Sequence, residues 1–217
     1  MKKVSVLLFL FLVVSCTSRK PDVSILDNPT CGLPCWNNIV PGETTYSEAL
    51  QIVSKLDGID QSKTEDLYAP WKIFSQQIWF YLYTDPSLAK VQTDGAVYFI
   101  DDKAAALILQ RNVGRTFEEM VKLTGDPETI ILMPFPGGPV FMAVVPSKGV
   151  KYEFYSKSKE LKPETQIDNV MFFDPSQYEA LLDAGMFSLG ERDANKTREI
   201  MQPWKGYGNI QELYPMK

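Results

Sequence analysis

Three cysteines and no histidine bound the chemistry open to this chain. Without imidazole there is no Ser-His or Cys-His nucleophile pair, no His-ligated zinc or copper, and no histidine acid-base step. Two of the cysteines stand in Cys31-Gly32-Leu33-Pro34-Cys35. Gly32 and Pro34 favour a tight turn that can bring two Cα atoms within the roughly 4.4–6.8 Å a bridge requires. A structural disulfide between Cys31 and Cys35 is the expectation, although so short a loop contributes only about 2 kcal/mol on the chain-entropy model. The alternative is a redox or copper site. The redox motif has two residues between its cysteines where this chain has three, and a copper site of this spacing usually recruits a histidine.

Carboxylates are the other source of chemistry. Asp101-Asp102 offers a pair for glycoside or metal work. Adjacent acids between two strand-like runs are expected instead as a solvated hairpin turn. Glu118-Glu119 falls in the first turn of a predicted helix, where negative charge suits the dipole. The chain contains no Gly-x-x-x-x-Gly-Lys, Gly-x-Gly-x-x-Gly, Gly-x-Ser-x-Gly or Cys-x-x-Cys. No catalytic residue, metal ligand or cofactor site is therefore assigned. Asn195-Lys196-Thr197 fits a glycosylation sequon and is taken as incidental.

One segment suggests a binding surface. In Gln77-Ile78-Trp79-Phe80-Tyr81-Leu82-Tyr83 the side chains alternate, so Trp79, Tyr81 and Tyr83 share one face and Ile78, Phe80 and Leu82 the other. The aliphatic face should meet helices. The aromatic face is the candidate surface for a glycan, a peptide or a partner protein, because aromatics with a polar handle suit interfaces. The bland alternative is a second core layer.

The elements that carry these residues follow from periodicity. The chain has 217 residues, 45% of them hydrophobic and 23% charged, ordinary values for a globular protein with a sizeable core. Tyr46, Ala49, Leu50, Val53 and Leu56 fall at three- and four-residue steps, which predicts a helix from Tyr46 to Leu56. Thr45 with Glu48 forms its capping box and Gly58 stands just past its end. A second helix is predicted from Phe117 to Thr124, with Phe117, Met120 and Val121 inward. Thr116 with Glu119 forms its capping box, and Gly125-Asp126-Pro127 stops it. Strands are predicted at Gln77 to Tyr83, Ala96 to Ile100, Ala104 to Arg111, Thr129 to Met133, Val140 to Val145, Lys151 to Tyr155 and Asn169 to Phe173. Trp71 to Phe74 is a weaker candidate. Turn residues such as Thr84-Asp85-Pro86 and Ser147-Lys148-Gly149 separate them. Their close spacing favours antiparallel pairing, since parallel crossovers need a dozen or more residues. The predicted fold class is α+β: two repeats of one helix followed by a three- to four-stranded antiparallel sheet, with the helices packed on one sheet face. A third helical run covers Gln177 to Ala184.

The first twenty residues set an address. Lys2 and Lys3 precede an apolar run of eleven residues, Val4 to Val14, broken only by Ser5. That is about 16 Å of helix, too short for a bilayer core of about 30 Å, and fits the h-region of an export signal. Val13-Val14-Ser15-Cys16 resembles the lipobox of bacterial lipoproteins. The resemblance implies cleavage before Cys16 and a diacylglyceryl group on its thiol. Two or more such chains hold stably to a bilayer. The mature chain would carry 20 basic against 27 acidic residues, a net charge of −7. An acidic body should stand off an anionic membrane on the tether Thr17 to Thr30. The pI of about 4.9 also argues against nucleic acid as a partner.

Gly114-x-Thr116-x-x-x-Met120 continuing to Gly125-x-Pro127 resembles the signature of the SmpA/OmlA (BamE-like) lipoproteins. Pro34-Cys35-Trp36 followed by Pro41-Gly42-Glu43-Thr44-Thr45 is similar to a group of bacterial lipoproteins that open on Pro-Cys-Trp and Pro-Gly-x-Thr-Thr. Tandem copies of such a unit resemble the β-lactamase-inhibitor-protein architecture. About 15 residues in each half carry the likeness, and the first helix lacks the closing Gly-x-Pro. The organisation this implies is a signal peptide at 1–15, a lipidated tether with the disulfide loop at 16–40 and BamE-like repeats at 41–112 and 113–185. A C-terminal tail at 186–217 would pack Trp204 and Tyr207 onto the body. The expected role is that of a non-enzymatic binding or envelope-assembly module, lipid-anchored on the outer face of a cell membrane or at an outer membrane, with an envelope protein or glycan as partner. The alternatives are an envelope enzyme, either a thiol oxidoreductase at Cys31/Cys35 or a carboxylate hydrolase, and an enzyme inhibitor that presents the sheet.

Overall fold

The computed structural model describes residues 26, 31–59, 61, 64–67, 73–85, 90–111, 113–134, 138–155, 158–188 and 194–215, and only the backbone at 65–67, 83–85 and 90–93. The signal segment, Cys16, the tether apart from Leu26, and Trp71 with Lys72 lie outside the described residues.

Both capping boxes form. The Thr45 amide donates to Glu48 Oε2 at 2.8 Å and the Thr45 hydroxyl accepts from the Glu48 amide at 3.3 Å, opening α1 (Tyr46–Val53). The Thr116 amide and hydroxyl bond Glu119 in the same way, at 2.7 and 3.3 Å, opening α2 (Phe117–Thr124). These bonds satisfy donors that a helix N-terminus would otherwise leave orphaned. The first helix is shorter than its periodicity predicts and ends at Val53. Ala49 and Val53 are buried, whereas Leu50, expected inward, is 38% exposed.

The first half continues with β1 (Glu65–Leu67), β2 (Gln76–Asp85), β3 (Lys90–Ile100) and β4 (Lys103–Gln110). Strand β2 runs through Thr84 and Asp85, where a turn was expected. Asp101 and Asp102 both have left-handed backbones, φ 48° and 65°, and turn β3 into β4. Positive φ at both central residues marks the tight turn whose twist matches flanking strands. After α2 come β5 (Thr129–Met133), β6 (Val140–Val145), β7 (Val150–Tyr155), β8 (Glu160–Leu161) and β9 (Asn169–Phe173). The chain ends with α3 (Tyr178–Asp183), α4 (Ala194–Ile200), β10 (Met201–Gln202), β11 (Gly208–Asn209) and α5 (Ile210–Leu213).

Nine strands form one antiparallel sheet in the order β1-β2-β3-β4-β9-β7-β6-β5-β10. Where the sequence predicts a three- to four-stranded sheet in each half, the structure joins the halves through β4 and β9. Their register runs from Ala106 opposite Phe173 to Gln110 opposite Asn169. The physical reason is edge satisfaction: each strand alone would expose a row of unpaired N–H and C=O groups. Hydrogen bonds tie each helix start to the end of its own half. Tyr46 N donates to Asp102 O (3.2 Å) and Ala104 N to Thr44 O (2.8 Å); Phe117 N donates to Thr165 O (2.7 Å) and Ile167 N to Arg115 O (2.9 Å).

Helices α1 and α2 lie on one face, where Ala49, Val53, Phe117 and Met120 join Ile78, Phe80, Leu107 and Phe172 in one core. Trp36 stacks on Phe80 at 5.6 Å and pins the cysteine loop to the sheet. Trp204 stacks on Phe117 at 5.4 Å, and Tyr207 meets the same ring edge-on. The third helix departs from the one-face expectation. Leu181 and Leu182 of α3, with Phe187, pack on the opposite face against Phe173 and Met171. That face is apolar at its second-half end, so it too must be covered. Among the described residues no helix is long and apolar enough to cross a membrane.

Gly95 faces Phe80 across the β2–β3 ladder, and a Cβ there would clash with the Phe80 ring. Gly95→Ala should therefore cost about 1–3 kcal/mol, as overpacking does. Gly32→Ala, with open space around its Cβ, should stay within about 0.5 kcal/mol. Urea melts of the two variants check both values.

Candidate functional site

The second face of the sheet carries the predicted aromatic surface. Register places Tyr81 opposite Asp94, Trp79 opposite Ala96 and Gln77 opposite Tyr98. The rows continue across β4 and β9: Asp94 faces Gln110, which faces Asn169, which faces Glu153 on β7. A polar row thus crosses five strands from Tyr81 to Glu153. The next row, starting at Trp79 and Ala96, is apolar until it reaches Lys151.

Trp79 and Tyr81 are both half-buried. Trp79 packs against the second core, beside Phe74, Ala96 and Tyr98. The aromatic stripe is thus partly the second core layer that was weighed against a free surface. Tyr83 takes its place in β2, and its side chain lies outside the described residues.

Two carboxylates in the polar row are buried. Asp94, 5% exposed, accepts an ion pair from Arg111 at 3.3 Å. Glu153, also 5% exposed, pairs with Lys151 at 3.1 Å and accepts from the Asn169 amide. Lys151 Nζ further donates to the Met186 carbonyl at 3.4 Å, so the chain after α3 closes over this pair. Sequence reasoning missed these residues. Alternation in Lys151-Tyr152-Glu153-Phe154 signals that Lys151 and Glu153 share a face, but it assigns polar residues to solvent. Burial pushes the Tyr98 hydroxyl up to about 12 on the same face.

On the opposite face of the sheet the Cys31 and Cys35 sulfurs sit at disulfide distance, with Cα atoms 5.7 Å apart. Their loop walls a groove of about 480 Å³ against α2, lined by Leu26, Leu33, Trp36, Met120, Leu123 and Phe172. Asp101 and Asp102 are exposed at their turn. Among the described residues no group of three or more cysteines or carboxylates is placed to hold a metal ion. Compared with family models, with curated proteins and with solved structures, the chain finds no match.

Lys151→Met alone should cost about 3–5 kcal/mol, because it strands a buried carboxylate. The double variant Lys151→Met/Glu153→Leu should lose less than either single change. A double-mutant cycle by denaturant melts measures the difference.

Tyr98 also sets an alkaline limit. Its folded pKa lies above the roughly 10 of an unfolded tyrosine, so the folded state keeps the proton longer. Its contribution is whole below about pH 10 and is lost as pH rises to about 12. Tyr98→Phe should flatten that part of the stability–pH curve, read by thermal melts from pH 8 to 12.

Proposed function

We propose that this protein is a lipid-anchored, extracytoplasmic binding module made of two BamE-like repeats, with the second face of the sheet as its working surface. One observation carries the reading. Lys2-Lys3, the apolar run Val4 to Val14, the small Ser15 and Cys16 stand in register as an export and lipidation signal. The paired architecture supports the repeats. The N-cap residues Thr45 and Thr116 each bridge to the segment leading into the last strand of their half, at Lys103 and Gln166. Tyr46 and Phe117, next in each helix, donate to Asp102 and Thr165. The same contact recurring at the same place in both halves is what duplication of one unit produces.

The binding reading is favoured over an envelope enzyme by the chemistry at hand. The two cysteines of the loop are paired with each other, and Cys35 is 9% exposed, a poor setting for an attacking thiolate. The acids at the Asp101-Asp102 turn are exposed to solvent. Tyr81, half-buried beside buried polar groups, has the mixed character of an interface residue.

The anchor is tested by metabolic labelling with a radioactive fatty acid in cells that make wild type or Cys16→Ser. Label on the wild type and none on the variant is expected, with the variant unprocessed or released from membranes. Equal label on both would remove the lipoprotein reading.

A further inference from the structure

We propose that the corner of the second face around Trp79 and Asp94 is a glycan-binding site. This rests on the binding reading above and names the ligand class. Three buried polar atoms here have no hydrogen-bond partner: Trp79 Nε1, Asp94 Oδ1 and Gln77 Oε1. Gln77 and Asp94 are each 5% exposed. Orphaned buried polar atoms are rare in folded proteins, and each one calls for a cause.

Register gathers them. Asp94 lies opposite Tyr81, one pleat along from Trp79, and Gln77 one pleat to the other side of Trp79. Diagonal neighbours in a ladder are within reach of aromatic and long side chains. The set is one donor flanked by two acceptors. A hydroxyl accepts and donates at once, so it can take the indole N–H and give its own proton to the carboxylate or the amide oxygen. A carboxylate or phosphate ligand would meet Asp94 with like charge. An apolar ligand would leave all three atoms unpaired.

Adjacent hydroxyls on one rigid body describe a sugar ring. Tyr81 stands beside the corner, half-buried, and offers an aromatic surface for the ring's apolar side. Arg111, its side chain 70% exposed, holds Asp94 through Oδ2, and Oδ1 is the oxygen left without a hydrogen bond. Gln110 and Asn169 continue the row with amides. The aromatic contact of α3 falls on Phe173, and α4 packs on β5. The three atoms are shielded from solvent, so a ligand reaches them only by displacing a neighbouring side chain.

The test uses the full chain, purified in a detergent without a sugar headgroup. Maltotetraose, cellotetraose and chitotetraose are titrated by tryptophan fluorescence and calorimetry, and the protein is also read on an array of neutral glycans. Binding to at least one is expected. Trp79→Phe, which removes the N–H, should weaken it about fivefold, the worth of one hydrogen bond. Asp94→Asn should weaken it further, and Tyr81→Ala should abolish it, with thermal melts checking that each variant folds. If Asp94→Asn fails to fold, Trp79→Phe still decides. A wild type blind to every glycan overturns the proposal, as does binding unmoved by Trp79→Phe and Tyr81→Ala. Failure of glycan binding with intact fatty-acid labelling at Cys16 removes this ligand and leaves the anchored module standing.

Discussion

The ladder between β4 and β9 is the constraint on which the rest of the molecule depends. Five residue pairs, Ala106–Phe173 to Gln110–Asn169, turn two helix-and-strand units into one sheet. Without it each unit would end on an open strand edge and a core too small to hold itself. With it, β4 and β9 become central strands covered on both faces, which is why both read as nearly continuous apolar runs. The alanines of β4 belong to the same constraint. Ala104, Ala105 and Ala106 are all buried, with small side chains where both cores close in on the strand.

Covering the second face fell to the chain beyond β9. Phe173 meets Tyr178 and Phe187 at 6.0 and 5.4 Å, so the strand and the segment that folds back over it share one aromatic contact. Arg198 of α4 clasps Glu179 and Asp183 of α3, both at 2.8 Å, and holds the two helices in register. β10 then pairs with β5 and protects that edge of the sheet. The described residues from Tyr178 to Tyr214 thus supply a cover, an edge strand and, through Trp204 and Tyr214, part of the opposite core.

What could be read from sequence divides along a physical line. Local signals were legible. Thr45 with Glu48 and Thr116 with Glu119 announce helix starts because the capping bonds span only three residues. The strands Thr129–Met133, Val140–Val145 and Asn169–Phe173 stand where their β-branched and aromatic runs lie. Long-range pairing was not legible. Nothing local in Asn169–Phe173 says that its partner is Ala106–Gln110, more than sixty residues earlier. The candidate site was half legible for the same reason. Alternation put Gln77, Trp79 and Tyr81 on one face, but Asp94 and the Lys151–Glu153 pair joined them only through cross-strand register.

Unsatisfied polar atoms are concentrated at one corner of this face. Each buried unpaired group costs about 1–3 kcal/mol, against a total stability of about 5–15 kcal/mol for a domain. A chain under selection for stability alone would lose such groups by substitution. At the β7 end the buried charges are paired: Glu153 has Lys151 and Asn169, and Lys151 has the Met186 carbonyl, although Glu153 Oε2 meets Lys151 as an ion pair without a hydrogen bond. At the β2–β3 end, Trp79, Gln77 and Asp94 each leave an atom unanswered, although Asp94 has Arg111 on its other oxygen. The charge-paired end lies under the returning chain, and the corner with three unpaired atoms lies beside half-buried Tyr81. Polarity that stabilises the fold should be complete within it. Polarity left incomplete at one corner, next to an aromatic surface, is what the proposed ligand would complete.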